Sequence, residues 1–227
     1  MEIPQASPVP NLPVAGSAQA LAVRRILCVG QNYAAHAREM GGDPDRAPPF
    51  FFDKPADAIV PSGGAIPYPP RTSDLHYEVE LVVAIGGGGA NIAAADARDH
   101  VLGLAVGIDL TRRDLQAEAK KAGRPWDMAK GFDMSAPCAP LTLLTPDFAL
   151  NRGAITLTVN GAVKQQGDLA DMIWSVPEII AELSTYIALA PGDLIFTGTP
   201  AGVGPLVRGD TVVARVEGLP QLEIRIV

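Results

Sequence analysis

The dipeptide Asn160-Gly161 is the feature that most constrains what this chain can fold into. It interrupts the alternating segment AITLTVNGAVKQQG, residues 154–167, and Asn-Gly is the pair that a two-residue type I′ hairpin requires. The segment therefore predicts two antiparallel strands. Other short runs between turn residues are predicted as strands at 24–30, 50–52, 57–60, 77–85, 102–109, 193–196, 211–217 and 221–227.

Helices are predicted at only a few places, and they do not alternate with the strands. Each begins at a potential cap: Asn32 before a helix over 32–42, Asn91 before 92–101, Thr111 before 112–123, and the capping box Ser175 to Glu178 before 179–187. This order argues against a parallel doubly wound sheet. The expected fold is α+β, with mixed, mostly antiparallel sheet and several short helices.

The composition limits the class of protein. Of 227 residues, 48% are hydrophobic and 19% are charged, which is typical of a compact folded chain. The formal net charge of -7 opposes attraction to nucleic acid, so none is expected as a partner. Two cysteines, Cys28 and Cys138, are too few for a disulfide framework. A reducing cytoplasm is therefore the expected location.

A proline-rich N-terminal arm is predicted over residues 1–20, followed by one folded domain over 21–227. The arm has neither a basic segment nor a continuous apolar core, so we expect no signal peptide. The longest apolar runs are far shorter than the ~20 residues that a membrane helix needs, so no membrane partner is expected.

An unusual set of polar residues lies in the predicted strand LHYEVELVVAIG, residues 75–86. Because side chains alternate along a strand, His76, Glu78 and Glu80 share one face. The rise per residue places the two carboxylates ~7 Å apart. If this end is buried, the like charges raise each other's pKa or require a cation between them. If it is exposed, the pair has little significance, and the spacing alone leaves both interpretations open.

Asp109 is the best candidate for a third acidic residue at this place. It ends the apolar strand in LGLAVGIDLTRRD and precedes a predicted helix. Carboxylate oxygens suit a hard divalent ion such as Mg²⁺, Mn²⁺ or Ca²⁺ better than Zn²⁺.

Two further pairs of residues have a helical spacing. His36 and Glu39 stand three residues apart, which suits either an exposed pair or a histidine oriented by an acid. Arg113 and Gln116 follow Asp109 by four and seven residues, one and two helical turns beyond it.

Several long motifs closely resemble the fumarylacetoacetate hydrolase family. They run in order from residue 24 to the C-terminus: CVGQNYAAHAREM, PFFFDKP, LHYEVELVVAIG, GLAVGIDLTRRDLQAEAKKAGRPWDMAKGFD, MIWSVPEIIAEL and PGDLIFTGTPAGVGP. The resemblance implies a β-rich α+β fold of the family's C-terminal-domain type, and a homodimer. It also implies one Mg²⁺ or Mn²⁺ per subunit, held by an E-x-E pair and a downstream Asp, which correspond to Glu78, Glu80 and Asp109.

The resemblance also implies roles for other residues. His36 and Glu39 correspond to a dyad that activates water, and Lys130 in WDMAKGFD to a cation that stabilises an oxyanion. Substrate binding is implied for Arg113, Gln116, Gly198 and Thr199. Without the resemblance, each of these residues has an ordinary explanation. Lys130 would be a solvated lysine, Arg113 and Gln116 would be polar residues on a helix surface, and TGTPAGVG, residues 197–204, would be a tight turn.

The expected activity is hydrolysis of a carbon–carbon bond in an acylpyruvate, such as fumarylpyruvate to fumarate and pyruvate, in gentisate-type degradation of aromatic compounds. Alternatives that use the same ligand set are decarboxylation of oxaloacetate or cleavage of other acylpyruvates, and isomerisation or decarboxylation of a hydroxymuconate-like diacid. A non-catalytic metal-binding module is a third alternative. Candidates for holding a distal substrate carboxylate are Gln31, Lys54 and Arg124, and the sequence does not choose among them.

Overall fold

A computed structural model describes residues 8–41 and 47–227 of the chain, and β-strands dominate it. The largest sheet has eight strands, numbered along the chain: β3 (Arg25–Gly30), β4 (Phe50–Lys54), β5 (Ile59–Pro61), β8 (Val79–Ile85), β9 (Val101–Ile108), β11 (Ala136–Cys138), β12 (Thr142–Leu143) and β15 (Asp193–Phe196). Their order is β4-β3-β15-β8-β9-β11-β5, and β12 pairs with β9.

Three smaller sheets complete the described architecture. The five-stranded sheet contains β6 (Ala65–Ile66), β13 (Ala154–Val159), β14 (Ala162–Asp168), β17 (Thr211–Val216) and β18 (Leu222–Ile226). The three-stranded sheet contains β7 (Leu75–Tyr77), β10 (Thr111–Arg112) and β16 (Gly204–Leu206), and the two-stranded sheet contains β1 (Asn11–Pro13) and β2 (Ala20–Ala22). Parallel pairing occurs between β3 and β15, β5 and β11, and β6 and β18, and the other strand pairs are antiparallel.

The mixed, mostly antiparallel α+β architecture expected from the sequence is thus confirmed. The hairpin of β13 and β14 turns at Asn160 and Gly161, whose φ angles of 51° and 81° are the positive values of a type I′ turn.

The helices in the described residues are short: α1 (Ala34–Glu39), α2 (Arg113–Ala122), α3 (Asp127–Lys130) and α4 (Val176–Tyr186). The capping box at α4 is confirmed, because the Glu178 carboxylate accepts a hydrogen bond from the Ser175 N–H at 3.0 Å. None of these helices has the length and apolar character needed to cross a membrane.

Three of the four predicted helix caps are wrong, those at Asn91, Thr111 and Asn32. Asn91 does not cap a helix, because its N–H and that of Ile92 bond to Ser184 on α4, and only a 3₁₀ turn, Ala97–His100, follows. Thr111 lies in β10, and Arg112 occupies the cap position of α2. At Asn91 and Thr111, tertiary hydrogen bonds take backbone N–H groups at the predicted helix start: those of Asn91 and Ile92 in the first case, and that of Arg113, bonded to the Asp74 carbonyl oxygen, in the second.

Asn32, predicted to cap α1, instead joins three segments of the chain. Its side-chain amide donates to the carbonyl oxygens of Trp174 and Thr197 at 2.9 and 2.8 Å, and its carbonyl oxygen accepts the Trp174 N–H at 2.7 Å. Tyr33 stands at the cap position of α1, which spans fewer residues than the predicted 32–42. Gly42, at the end of that prediction, lies outside the described residues.

The strand predicted at 77–85 is divided at Glu78 into β7 and β8, which belong to different sheets. Beyond the division, the predicted alternation is confirmed. Val82 and Ala84 pack with Cys28 and Phe196 in one apolar cluster, whereas the intervening residues of β8 belong to the other. The chain therefore carries Glu80 into the interior on the Val82 face.

Residues 8–20 of the predicted arm lie against the domain. Leu12 is completely buried, and the backbones of Pro13 and Ala15 bond to Leu141 at 2.8 Å. Residues 1–7 lie outside the described residues, and the domain boundary at residue 20 stays a prediction.

Asp193 is a fully buried carboxylate that joins β15 to the start of β3. It accepts hydrogen bonds from Arg24 at 3.0 Å, from Arg25 at 2.7 Å and from the Ala190 N–H at 2.9 Å. Burial opposes ionisation, but these bonds, those of Arg25 foremost, hold the pKa of Asp193 below its ordinary value.

Asp193→Asn is expected to lower the free energy of unfolding by about 1–3 kcal/mol at pH 7, because the amide leaves both guanidinium groups without a charged acceptor. A depressed folded-state pKa contributes stability above the unfolded pKa of ~3.9, and this stability is lost as the pH falls through the folded value. The difference between wild type and variant should therefore shrink below about pH 4. Urea denaturation across this range measures it.

Glu118→Gln is the matched control, since Glu118 lies on the exposed side of α2 and has no ionic partner among the described residues. An equal loss of stability in both variants, or a difference for Asp193→Asn that persists at acid pH, would contradict the assignment.

Candidate active site

Three buried carboxylates meet where β8 and β9 leave the large sheet. One oxygen from each of Glu78, Glu80 and Asp109 lies within 4.8 Å of the others. The backbone sets this arrangement. The Asp109 N–H donates to the Glu78 carbonyl oxygen at 2.9 Å, and Glu80 is paired with Gly107 across the ladder. A side chain at Gly107 would meet Phe196 at 2.6 Å, so this position allows close packing behind the site.

Three cations offset these negative charges. The Lys130 ammonium lies between Glu78 at 2.8 Å and Asp109 at 2.6 Å, and Arg113 donates to the other oxygen of Glu78. The Lys54 ammonium is 2.8 Å from Asp109 Oδ1, although its hydrogen bonds go to the carbonyl oxygens of Leu110 and Lys130. The cluster is thus compensated by charges held in fixed positions.

The neighbouring positive charges compensate Glu78 more fully than Glu80. Burial raises the pKa of both carboxyls, but the charges of Lys130 and Arg113 hold the pKa of Glu78 below its ordinary value. Burial, followed by the charges of Asp109 and Glu78, raises the pKa of Glu80 well above its ordinary value. In the described structure, Glu80 accepts a single hydrogen bond, from the Gly198 N–H at 2.7 Å.

The oxygens of this cluster fit a hard divalent cation. Asp109 Oδ1 is buried and accepts no hydrogen bond from the described residues, although Lys54 is close to it. A buried acceptor without a donor is costly unless a cation or a proton takes that place. Three carboxylates and no sulfur or imidazole form the ligand set that Mg²⁺ or Mn²⁺ prefers.

His76 lies on β7, before the division at Glu78, and outside the cluster. Its Nδ1 accepts a hydrogen bond from Arg113 Nε at 3.3 Å, and its Nε2 bonds to Asp74 at 2.9 Å. Burial, followed by the charge of Arg113, lowers the pKa of His76. A neutral imidazole therefore supports the guanidinium that contacts Glu78.

A cavity of about 230 Å³ opens beside the carboxylates. Eight residues named in the sequence analysis line it: Gln31, His36, Glu78, Glu80, Arg113, Gln116, Lys130 and Thr199. Of the residues with a predicted site role, Glu39, Asp109 and Gly198 stand behind this lining, where they contact residues that do face it. Lys54 is fully buried beside Asp109, and Arg124 lines a separate groove.

His36 and Glu39 form a hydrogen-bonded pair at the wall formed by α1. His36 Nδ1 lies 3.1 Å from a Glu39 oxygen, and His36 is buried. The Gly202 N–H also points at Glu39, 3.2 Å from each of its oxygens. Nδ1–H donation to Glu39 leaves Nε2 of the neutral ring as a proton acceptor.

The glycine-rich loop supports the carboxylates from the side of β15. Gly198 has φ of +97°, and a β-carbon there would meet Asn32 at 2.6 Å, so glycine is required. Its N–H bonds to Glu80 and not to the cavity. Thr199 does line the cavity, and its hydroxyl accepts a hydrogen bond from Gln165 at 2.8 Å.

The comparisons with known proteins agree with this geometry. The family profile described as fumarylacetoacetate (FAA) hydrolase C-terminal matches residues 25–227. The chain belongs to this family. A fumarylpyruvate hydrolase from Ralstonia sp. is 46% identical over 177 residues, which cover 78% of this chain and 92% of the relative.

Solved structures and a second curated relative widen the comparison. The crystal structure of a fumarylpyruvate hydrolase from Pseudomonas aeruginosa in complex with Mn²⁺ and pyruvate superposes with a TM-score of 0.96. Its sequence is 49% identical to this chain, and the match covers 100% of this chain and 99% of the Pseudomonas aeruginosa chain. A mitochondrial oxaloacetate tautomerase from Mus musculus is 40% identical over 206 residues, 89% of this chain and 91% of the relative.

Several residues of this family member's site were not found from its sequence. Lys120, Met40, Phe52 and Trp126 also line the cavity. Gln165 is fully buried and accepts the Val79 N–H at 3.0 Å while it donates to Thr199. The helical spacing of Lys120 with Arg113 and Gln116 could have indicated that Lys120 belongs to the site. Gln165 lies in an alternating hairpin, and no pattern in that segment distinguishes it from other strand residues.

Opposite changes in stability are expected when the two glutamates are neutralised in the presence of a chelator. Glu80→Gln should raise the melting temperature, because it removes a poorly compensated buried carboxylate. The gain should grow as the pH rises above ~4.3, since a raised folded-state pKa makes ionisation destabilising. Glu78→Gln should lower the melting temperature, because it leaves Lys130 and Arg113 without their shared acceptor.

Both variants should bind Mn²⁺ more weakly by at least about 100-fold, since even partners outside the ligand shell affect affinity that much. Differential scanning fluorimetry and titration calorimetry provide the two measurements. If both variants changed the melting temperature equally and in the same direction, the uneven compensation of the two glutamates would be contradicted.

Proposed function

We propose that this protein hydrolyses the carbon–carbon bond of an acylpyruvate, with fumarylpyruvate as its preferred substrate. The proposal rests on the observation that His36, hydrogen-bonded to Glu39, lines the same cavity as the carboxylate cluster. The likeness to a fumarylpyruvate hydrolase that binds Mn²⁺ and pyruvate supports the choice of substrate. Such a reaction would belong to gentisate-type degradation of aromatic compounds.

Glu78, Glu80 and Asp109 would hold one Mg²⁺ or Mn²⁺. When bound, the ion supplies a Lewis acid for the 2-oxo acid end of the substrate. The chain fixes this end of the cavity through Lys130, whose ammonium is held by two of the carboxylates.

His36 acts as the general base in this proposal. Its Nε2 takes a proton from water, whose oxygen forms a bond to the acyl carbonyl carbon. Glu39 accepts the Nδ1–H bond and stabilises the imidazolium that results. The bond between the acyl carbon and the methylene carbon then breaks, and its electron pair passes to the methylene carbon. The His36 imidazolium returns its proton to this carbon, which becomes the methyl group of pyruvate, and the acyl half leaves as a carboxylic acid.

Donors around the cavity bind and orient the substrate. Arg113 and Gln116 are hydrogen-bonded to each other and face the cavity from one side of α2. Lys130 and Thr199 face it from α3 and the glycine-rich loop. Positioned donors of this kind stabilise negative charge that develops on the attacked carbonyl oxygen.

Tautomerisation or decarboxylation of oxaloacetate is the second candidate. The observation that favours it is the 40% identity to a mitochondrial oxaloacetate tautomerase. Neither of these reactions adds water to an acyl carbon, so they place no demand on a base that activates water.

We infer that the protein is a cytoplasmic homodimer and that it has no nucleic-acid or membrane partners. The acidic balance of 25 Asp and Glu against 18 Lys and Arg supports the absence of a nucleic-acid partner. Analytical ultracentrifugation of the purified protein measures the oligomeric state.

His36→Asn is expected to lower kcat for fumarylpyruvate by about 10²–10⁴-fold, the usual contribution of a positioned general base. Mn²⁺ affinity should be retained, because the described hydrogen bond of His36 goes to Glu39 and not to Glu78, Glu80 or Asp109. Loss of the enol-diketo absorbance with time measures the rate.

His100→Asn is the matched control, since His100 bonds to the Gly87 carbonyl oxygen at 2.8 Å and does not line the cavity. The assay compares fumarylpyruvate, maleylpyruvate, acetylpyruvate and oxaloacetate with Mg²⁺ and Mn²⁺. Turnover of oxaloacetate alone would overturn the hydrolase proposal in favour of the second candidate.

A further inference from the structure

Lys120 is a cation of the cavity that the mechanism above does not use. It lies on α2, where it is exposed to solvent, and it lines the cavity together with Arg113 and Gln116. Its ammonium donates to the carbonyl oxygen of Met40 at 3.2 Å. No carboxylate in the described part of the chain pairs with it, whereas Lys130 and Arg113 are both bonded to Glu78.

Helix geometry places Lys120 at the far end of the cavity. Arg113, Gln116 and Lys120 follow one face of α2 at spacings of three and four residues. The seven-residue separation of Arg113 from Lys120 corresponds to a rise of ~10 Å along the helix. Arg113 is anchored to the carboxylate cluster through Glu78, so Lys120 lies away from the cluster.

Apolar side chains make up much of the rest of the cavity lining. Met40, Phe52 and Trp126 line the cavity, and Ala117 separates Gln116 from Lys120 along the helix face. An elongated acid would therefore meet charged groups at one end, apolar side chains along its length and a single ammonium at the other end. An ammonium without a carboxylate partner at such a position attracts an anion.

We propose that Lys120 binds the distal carboxylate of the substrate's acyl group, and that it makes the enzyme prefer acylpyruvates that end in a second carboxylate. The inference rests on the proposed function. The ammonium has three donors, so it can hold a carboxylate while it keeps its bond to Met40. Of the three residues that the sequence offered for this task, Gln31 lines the cavity but carries no charge, Lys54 is buried beside Asp109, and Arg124 lies in the neighbouring groove.

The first test is the substrate preference of Lys120→Gln. The ratio of kcat/KM for fumarylpyruvate to kcat/KM for acetylpyruvate, which lacks the distal carboxylate, should fall by about tenfold or more, the loss expected for a charge-assisted hydrogen bond. Lys120→Arg should restore most of the ratio. Lys121→Gln, the adjacent exposed lysine of the same helix, should leave the ratio and both rates unchanged.

A structural role for Lys120 gives a different result. If the lysine only fixes α2 to the end of α1 through Met40, Lys120→Gln lowers both kcat/KM values in the same proportion and the ratio stays constant. A constant ratio would overturn the proposal.

The second test does not depend on turnover. Fumarate and crotonate differ in that a methyl group replaces one carboxylate, and their dissociation constants are measured by calorimetry with Mn²⁺ and oxalate present. Lys120→Gln should reduce the preference for fumarate by a similar factor. If wild type hydrolyses no acylpyruvate but this preference still depends on Lys120, the proposed reaction fails and the carboxylate site stands. If the preference is unaffected, the Lys120 assignment fails whatever the reaction.

Discussion

Three carboxylates in the interior of a protein are tolerated only when other charges compensate them. In this site, the placement of the compensating cations determines the arrangement of the elements around the carboxylates. Lys130 and Arg113 reach Glu78 from α3 and α2, and Lys54 reaches Asp109 from β4. β4 and α3 therefore end, and α2 begins, at the residue whose cation meets the cluster. Glu80 lacks such a partner, so it retains the capacity to bind a further positive charge.

The division of the predicted strand at Glu78 gives the cluster its geometry. β7 leaves with the three-stranded sheet, while β8 continues into the large one. At that junction the Asp109 N–H bonds to the Glu78 carbonyl oxygen, and Gln165 accepts the next N–H, that of Val79. Glu78 and Asp109 thus stand just beyond the end of the β8–β9 ladder, and Glu80 lies within it.

Features with a local or periodic cause were predictable from the sequence. Alternation placed Glu78 and Glu80 on one face, Asn160-Gly161 marked its hairpin, and the position of Asp109 at the end of an apolar strand identified the third acid. The caps predicted at Asn91 and Thr111 failed because distant backbone groups took their hydrogen bonds. The positions of Lys120 and Gln165 in the site depend on tertiary packing, which periodicity does not encode.

Asn32 connects parts of the chain that are far apart in sequence, since its bonds to Trp174 and Thr197 span 142 and 165 residues. Closing loops of that size costs entropy before any contact forms, so such contacts are late events in folding. The hairpin of β13 and β14 and the pairing of β8 with β9 are local by comparison. The pairings of β15 with β3 and β8 are about as distant in sequence as the Asn32 contacts. A partly folded form of this protein would therefore contain the local strand pairs but neither the position of His36 nor the backbone donor to Glu80, and so no working site.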